Sequence, residues 1–270
     1  MQEILSYTFM QNAFLGGILV SIACGIIGSL VVINRMTFIA GGISHSAYGG
    51  VGMAIFFGFS PLLGATSFTL LIAFLIAFMT LKDKERFDSI IGAMWAFGMA
   101  LGIILIDLAP GYSADLMSYL FGSILTIDGQ TIKFISFIDV LIVAVVVLFY
   151  RQFCAISFDF EVASLRGVNS RLFYYLLVGL TALCVVATIQ VVGLILVIAL
   201  MTIPPYIAEV FSKRLGEMMF VSSIISASFC ILGLFISYKF NLTSGATIIM
   251  VASVFFFIIM VFKRVLFRDT

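Results

Sequence analysis

His45 is the single histidine of this 270-residue chain and its clearest candidate for chemistry. It lies in a long apolar run, and the residues one helical turn before and after it are Gly41 and Gly49. Glycines on that face would let a second backbone or a passing solute approach, and an ionisable ring at membrane depth is costly without a partner or a task. His45 is therefore either a metal ligand or pathway residue, or a neutral imidazole that hydrogen-bonds to a neighbouring helix.

Asp139 is the one carboxylate that falls clearly inside an apolar run. It could be a second pathway residue or metal ligand, since charged side chains at membrane depth commonly mark such routes. Alternatively, the fifth apolar run begins late and leaves Asp139 at the outer face of the membrane. The position of Lys133, six residues upstream, favours this second interpretation.

Pro204 and Pro205 follow an apolar run and must remove backbone hydrogen bonds late in the seventh predicted span. A break there could line a cavity, although prolines also kink transmembrane helices for packing reasons alone. The four cysteines are far apart and show no CxxC spacing, so neither a disulfide framework nor a zinc finger is predicted.

The composition is that of a chain that lies mostly in a membrane. Of its residues, 63% are hydrophobic and 10% are charged, whereas soluble domains have about 25% charged residues. A net charge of +1 provides no dense basic face for nucleic acid. The first Lys or Arg is Arg35, so the N-terminus lacks the basic region of a cleavable signal peptide, and the first apolar run is expected to remain as a helix.

Apolar runs of the right length then predict the transmembrane helices, because roughly 30 Å of hydrocarbon requires about 20 helical residues. Nine runs qualify or nearly do, at about 12–33, 37–58, 62–81, 89–108, 132–150, 172–189, 191–210, 217–238 and 245–262. The sequence therefore predicts an all-α polytopic membrane protein with eight or nine transmembrane helices, in a single domain over residues 1–270.

The distribution of Lys and Arg predicts the orientation, since these residues favour short cytoplasmic loops. With nine crossings and the N-terminus outside, twelve of the fourteen fall on the cytoplasmic side, and only Lys133 and Lys239 fall outside. The C-terminus is then cytoplasmic. Eight spans plus a re-entrant segment are also compatible with the pattern.

Two stretches between the spans have characters of their own. Residues 109–131 mix Pro, Gly and Asp with a short amphipathic piece, which suits an outer hairpin or an interfacial helix. Residues 151–170 form the longest cytoplasmic loop, in which Asp159 can cap a short helix that Gly167 then ends. From the residues alone this is an ordinary surface helix.

Missing motifs argue against an enzyme. The chain has no G-x-x-x-x-G-K-[ST] and no Gly-Lys dipeptide, so it cannot bind a nucleoside triphosphate through a P-loop, and another polypeptide must handle any ATP. Ser44, His45 and an acid could in principle form a hydrolase triad, but the G-x-S-x-G motif is absent.

Several stretches, in order along the chain, are similar to those of one family. They are 9–14, 32–39 with Ser44-His45, 115–125, 157–163 with Gly167-Val168, 190–193 and 243–247. Through them nearly the whole chain resembles the permease subunits of bacterial ATP-binding-cassette importers for zinc, manganese and iron. The resemblance implies a multi-pass protein of the bacterial cell membrane that transports and does not catalyse.

The resemblance also implies roles for particular residues. A short cytoplasmic helix would dock into a cleft of the ATPase subunit, and the residues that match it are Asp159, Phe160, Glu161, Val162, Ala163 and Gly167. His45 would lie in the metal path. The family commonly places Asp four residues before this histidine, where this chain has Gly41, and the loss of a carboxylate weakens the case for manganese more than for zinc. Transient coordination, with selectivity set by a partner binding protein, is also compatible with Gly41.

The function implied is import of a divalent transition metal, zinc first and manganese or iron next. The partners implied are two ATPase subunits, a second permease copy or a close paralogue, and an extracytoplasmic metal-binding protein, with no permanently bound cofactor. Two alternatives are an ion-coupled secondary transporter, which usually shows an internal repeat and several intramembrane charges, and a permease for a larger metal chelate.

Overall fold

The computed structural model describes residues 8–82, 87–109 and 127–266, and these ranges contain helices and turns but no strand. The helices are α1 (Thr8–Ile33), α2 (Thr37–Phe57), α3 (Pro61–Lys82), α4 (Phe87–Asp107), α5 (Gly129–Leu148), α6 (Tyr150–Phe158), α7 (Phe160–Leu165), α8 (Ser170–Phe211), α9 (Leu215–Phe240) and α10 (Ser244–Leu266). The predicted outer segment 109–131 lies largely outside the described residues.

The predicted spans correspond to these helices, which confirms the all-α polytopic prediction. Within the described ranges, seven helical segments are long and apolar enough to cross a membrane by length and composition. An eighth, Leu196–Phe211, is apolar but shorter. The one remaining predicted span, 37–58, corresponds to α2, which is long enough but is kept below the hydropathy of the other spans by His45 and its many glycines. Most of α2 is covered by other helices, so this more polar helix has little contact with lipid.

The 42-residue helix α8 is interrupted at Gly193. A straight helix of that length would extend about 63 Å, twice the hydrocarbon thickness. Gly193 has φ 76° and ψ 172°, a conformation that only glycine adopts readily. The two prolines, in contrast, lie inside the helical second half, so of the two possibilities at Pro204-Pro205 the chain is not broken there, and the interruption falls eleven residues earlier.

Contacts with α1 show that the chain turns back at Gly193. Before the break, the Cys184 thiol lies 4.0 Å from the Cys24 thiol. After it, Gly28 faces Met201 so closely that an added Cβ would lie 2.6 Å from the Met201 carbonyl oxygen. At the start of α9, just after α8 ends, the Gly216 N–H donates to the hydroxyl of Tyr150 in α6 at 2.9 Å. The chain therefore leaves the end of the bundle that carries α6 and α7 and returns to it within α8, as two separate spans require.

Close helix packing forms the core. α1 packs against both halves of α8 and against α9, while α2 packs between α3, α4 and α8. Glycines permit the closest approaches: a Cβ at Gly98 of α4 would lie 2.6 Å from the Cα of Ser46, and a Cβ at Gly25 of α1 would lie 2.5 Å from the Cα of Ser223. Such contacts replace the hydrophobic effect, which does not drive helices together in lipid.

The short helix in the 151–170 loop forms as predicted. The Asp159 carboxylate accepts hydrogen bonds from the backbone N–H groups of Glu161 and Val162, each at 2.9 Å, and so caps α7. Gly167, with φ +87°, ends the segment.

Asp139 does not lie at the membrane surface. It is ten residues into the 20-residue helix α5, and its side chain is only 5% exposed. α5 begins at Gly129, capped by Asp128, which is earlier than the late start that the interfacial interpretation required. That interpretation was wrong because α5 packs against α1 and α8 and encloses the carboxylate.

Candidate functional site around His45

His45 projects from the glycine-rich helix α2 and stacks on Trp95 of α4. The two ring centroids are 4.1 Å apart and the ring planes differ by 6°. His45 is half-buried, whereas its helical neighbours Ser44 and Ser46 are fully buried. Of these three neighbouring side chains, only the imidazole is partly exposed at the surface of the helix bundle.

α2 and α4 approach closely enough for this stack because small residues face one another. The Ser46 hydroxyl donates to its own helix at Gly42 and lies 3.0 Å from the Met94 carbonyl oxygen of α4. Added Cβ atoms at Gly98 and Gly102 would come within 2.6 Å of atoms of α2. This tight seam holds Trp95 against the His45 ring.

Gly41, one turn before His45, has room beside it for a Cβ. A Cβ added at Gly41 would meet only Ile198 Cδ1 at 3.6 Å and Trp95 Cζ3 at 3.8 Å, which are ordinary van der Waals distances. A Cβ at this position would therefore fit without displacing a neighbour. In this chain the space is bordered by an aliphatic and an aromatic group.

His45 is a potential metal ligand with few other potential ligands near it. Its Nδ1 atom is buried and makes no hydrogen bond to any described residue. No group of three His, Cys, Asp or Glu side chains in the described ranges could hold a metal ion. One copy of the chain, as described, can therefore offer an imidazole to a metal ion but not a complete set of protein ligands, which suits passage better than storage.

Asp139 belongs to a different part of the bundle. Its helix packs chiefly against α1 and α8, whereas α2 packs against α3, α4 and α8. Both carboxylate oxygens are buried and have no hydrogen-bond partner among the described residues. The structure therefore does not bring Asp139 onto the helices that form the His45 site.

The two short helices α6 and α7 are attached to the transmembrane helices by three contacts. The Asn34 amide, at the turn into α2, donates to the Ser157 hydroxyl at 2.8 Å. The Ser170 hydroxyl donates to the Phe160 carbonyl oxygen at 3.0 Å, and the Phe160 ring meets the Tyr174 ring at 6.4 Å. Ser157 of α6 thus contacts the turn that leads into α2, whereas Phe160 of α7 contacts α8.

Two apolar side chains at this end of the bundle are almost fully exposed. Phe158 is 92% exposed and Leu165 is 87% exposed, while Ala163 is buried against the bundle. Exposed aromatic and aliphatic groups that flank a short, well-anchored helix form a surface suited to a protein partner.

Sequence reasoning identified His45, Asp159 and Gly167 but missed Trp95. Trp95 is the only tryptophan of the chain, which is a weak signal, and it lies 50 residues from His45. Ile198 and Gly193 were likewise not selected as site or break residues, because their importance depends on how α8 turns back.

Comparison with known proteins relates the whole chain to one group. The sequence profile of the ABC 3 transport family matches residues 6–263. A membrane protein of uncharacterized function from Synechocystis sp. is 49% identical over 264 residues, which cover 98% of this chain and 94% of that protein.

A relative with a functional name and a solved structure agree with this result. The manganese transport system membrane protein MntC of Listeria innocua is 34% identical over 262 residues, which cover 97% of this chain and 93% of that protein. The structure of PsaBC from Streptococcus pneumoniae in complex with Fab is similar with a TM-score of 0.86 and 33% identity, covering 95% of this chain and 93% of that chain.

Proposed function

This chain belongs to the ABC 3 transport family, and we propose that it is the permease of an ATP-driven importer that carries a divalent transition metal ion into the cytoplasm. At the level of the family it is a multi-pass membrane subunit for metal transport and not an enzyme. The observation that supports the proposal for this chain is the position of His45, whose imidazole projects from the glycine-rich helix α2, and α2 packs among α3, α4 and α8.

Two metals are supported by different observations. The site chemistry favours zinc, because imidazole suits zinc and no carboxylate lies one turn from His45, where Gly41 stands. The relatives named manganese transport system membrane protein, from Listeria innocua and Halalkalibacterium halodurans, favour manganese. We place zinc first and manganese second, because the residues that would meet the ion are those of this chain.

The permease requires partners for its cycle. Two ATPase subunits would dock on the exposed surface of Phe158 and Leu165, around the helix that Asp159 caps. A second copy of the chain, or a close paralogue, would contribute a second imidazole, since one copy offers a single histidine. A binding protein outside the cell would deliver the metal, and ATP binding would shift the pair between outward-open and inward-open states.

The test is metal uptake into liposomes that contain the chain with its ATPase and binding protein. We expect saturable, ATP-dependent uptake of radioactive zinc, with slower uptake of manganese. His45→Ala should reduce the rate at least about tenfold, the size of effect that loss of a single interaction of about 1.4 kcal/mol produces. Phe57→Ala is the matched control, because Phe57 lies on the same helix with 67% of its side chain exposed.

Three results would separate the parts of the proposal. Uptake that persists without the ATPase would indicate an ion-coupled carrier instead. If His45→Ala leaves ATP-dependent uptake unchanged, the protein is an importer in which His45 serves only in packing. Failure to move either metal with ATP would exclude zinc and manganese and leave iron or a chelate as cargo.

A further inference from the structure

Trp95 contacts both features of the site that bear on metal chemistry. Its indole lies on the face of the His45 ring, with centroids 4.1 Å apart, and its Cζ3 atom borders the space next to Gly41. The indole is itself held, because its Nε1–H donates to the Met99 sulfur at 3.1 Å and its ring meets the Phe38 ring at 6.2 Å. A side chain fixed at both ends can in turn fix the ring that it covers.

Stacking restricts an imidazole without blocking its chemistry. A parallel neighbour limits rotation of the His45 ring about χ2, because rotation would drive the ring edge into the indole face. The lone pair that binds a metal lies in the ring plane and remains available. In this chain the stack would do what a hydrogen bond from the ring N–H to a second residue commonly does for a metal-ligating histidine, since Nδ1 has no hydrogen-bond partner in the described ranges.

The same indole sets the character of the neighbouring space. With Ile198 it forms an apolar wall where the carboxylate of the family pattern would otherwise stand. An ion that approaches His45 from this side meets an aromatic and an aliphatic surface and no hard oxygen ligand. This arrangement disfavours manganese more than zinc, because manganese prefers carboxylate and water ligands.

We propose that Trp95 is a positioning and selectivity residue of the metal path, which holds the His45 imidazole by stacking and gives the Gly41 side of the site an apolar surface. The proposal rests on the proposed function, because it requires His45 to meet the transported ion. It adds a residue on another helix to the His45 site and assigns it an effect on zinc against manganese.

Uptake kinetics with Trp95→Phe and Trp95→Leu provide the first test. An aromatic stack contributes enough for its loss to change affinity about two- to tenfold. We expect Trp95→Leu to raise the KM for zinc by that factor with a smaller change in kcat, and to lower the preference for zinc over manganese. Trp95→Phe, which retains an aromatic face, should lie between Trp95→Leu and the native chain.

The matched control is Phe97→Leu, also an aromatic-to-leucine change on α4, at a side chain that is 56% exposed. It should leave both KM values unchanged. A KM for zinc that is unaltered in Trp95→Leu would overturn the proposal. Equal losses of kcat for both metals, with no change in KM, would also overturn it, because that pattern indicates a structural role.

Fluorescence of the native chain gives a second test that does not depend on a variant at Trp95. Because Trp95 is the only tryptophan, the emission of the full permease in lipid vesicles reports on this site alone. Cobalt(II), which quenches tryptophan at short range and stands in for the transported ion, should give saturable quenching that zinc reverses by competition. The His45→Ala variant should lose that saturable quenching.

The two failures are distinguishable. In one case His45→Ala abolishes uptake, but cobalt(II) does not quench the native chain and Trp95→Leu transports normally. That result would support the proposed importer and contradict the role of Trp95. If His45→Ala leaves uptake unchanged, that result would contradict the role of His45 in the proposed function and, with it, the role of Trp95.

Discussion

His45 has no carboxylate beside it, because the residue one turn earlier on α2 is Gly41. The missing side chain is not required by crowding, since an added Cβ would make only ordinary contacts with Ile198 and Trp95. A Cβ can therefore be added here without forcing the helices apart. Residue chemistry, and not space, distinguishes this site from the pattern common in the family.

Gly41→Asp tests the selectivity of the site at the scale of one residue. It places a carboxylate one helical turn from the imidazole, on the same face. We expect manganese uptake to rise relative to zinc uptake by about tenfold, because a hard oxygen ligand is added next to a nitrogen ligand. The measurement is the ratio of kcat/KM values for the two metals in liposomes.

Gly41→Asn and Gly41→Ala are the controls for this change. Asn has nearly the shape of Asp without its charge, and Ala adds only the Cβ. Both should keep the native preference. If Gly41→Asp and Gly41→Asn change the ratio of kcat/KM values for the two metals equally, then side-chain bulk at this position, and not the carboxylate, determines selectivity.

At the scale of the helix, α2 is held by contacts between backbones. Its Ser46 and Tyr48 lie against Gly98 and Gly102 of α4, and its Gly50 lies against Gly64 of α3. Lipid offers no hydrophobic gain for helix association, so close van der Waals packing must supply it. The position of His45 thus depends on residues that have no functional groups.

Gly98→Ala and Gly92→Ala form a matched pair on α4. A Cβ at Gly98 would lie 2.6 Å from the Cα of Ser46, whereas a Cβ at Gly92 would have no neighbour within 4 Å. We expect Gly98→Ala to destabilise the protein by about 1–3 kcal/mol through overpacking. Gly92→Ala should be neutral or stabilising by about 0.5–1 kcal/mol, because alanine is the better helix former.

The measurement for this pair is thermal unfolding of the purified chain in detergent. A lower Tm for Gly98→Ala with an unchanged or higher Tm for Gly92→Ala would support the tight seam between α2 and α4. Equal effects of the two substitutions would contradict it, since helix propensity alone would then explain both.

At the scale of the whole molecule, one end of the bundle combines an exposed apolar surface with a contact to the helix that carries His45. The end that carries α6 and α7 exposes Phe158 and Leu165 around a capped helix. Asn34 joins this region to the turn that leads directly into α2. If the proposed ATPase docks here, a movement of α6 would reach the turn before the His45 helix through this hydrogen bond.

Leu165→Asp tests whether this end binds the ATPase. A charge at the centre of an apolar contact should reduce co-purification of the ATPase with the permease by at least about tenfold. The chain itself should still fold and enter the membrane, because the side chain is 87% exposed. Leu242→Asp is the control, an exposed leucine in the turn after α9, at the opposite end of the bundle. Retention of the ATPase by Leu165→Asp would place the docking surface elsewhere.

Much of this architecture is determined by local sequence. Apolar runs of about 20 residues predict the spans because the bilayer sets their length, and the structure confirms α1, α3, α4, α5, α9 and α10 within a few residues. Asp159 and Gly167 predict the short helix because caps act within one turn. His45 stands out from the sequence because it is the only histidine.

Other features were decided only by tertiary structure. The reversal at Gly193, the burial of Asp139 and the stack of Trp95 on His45 each depend on which helix faces meet. Those pairings join residues 50 or more positions apart and arise from close contacts among glycines and small side chains. In a chain whose helices are apolar on every side, hydrophobic periodicity cannot indicate the buried face, so shape complementarity between helices chooses it.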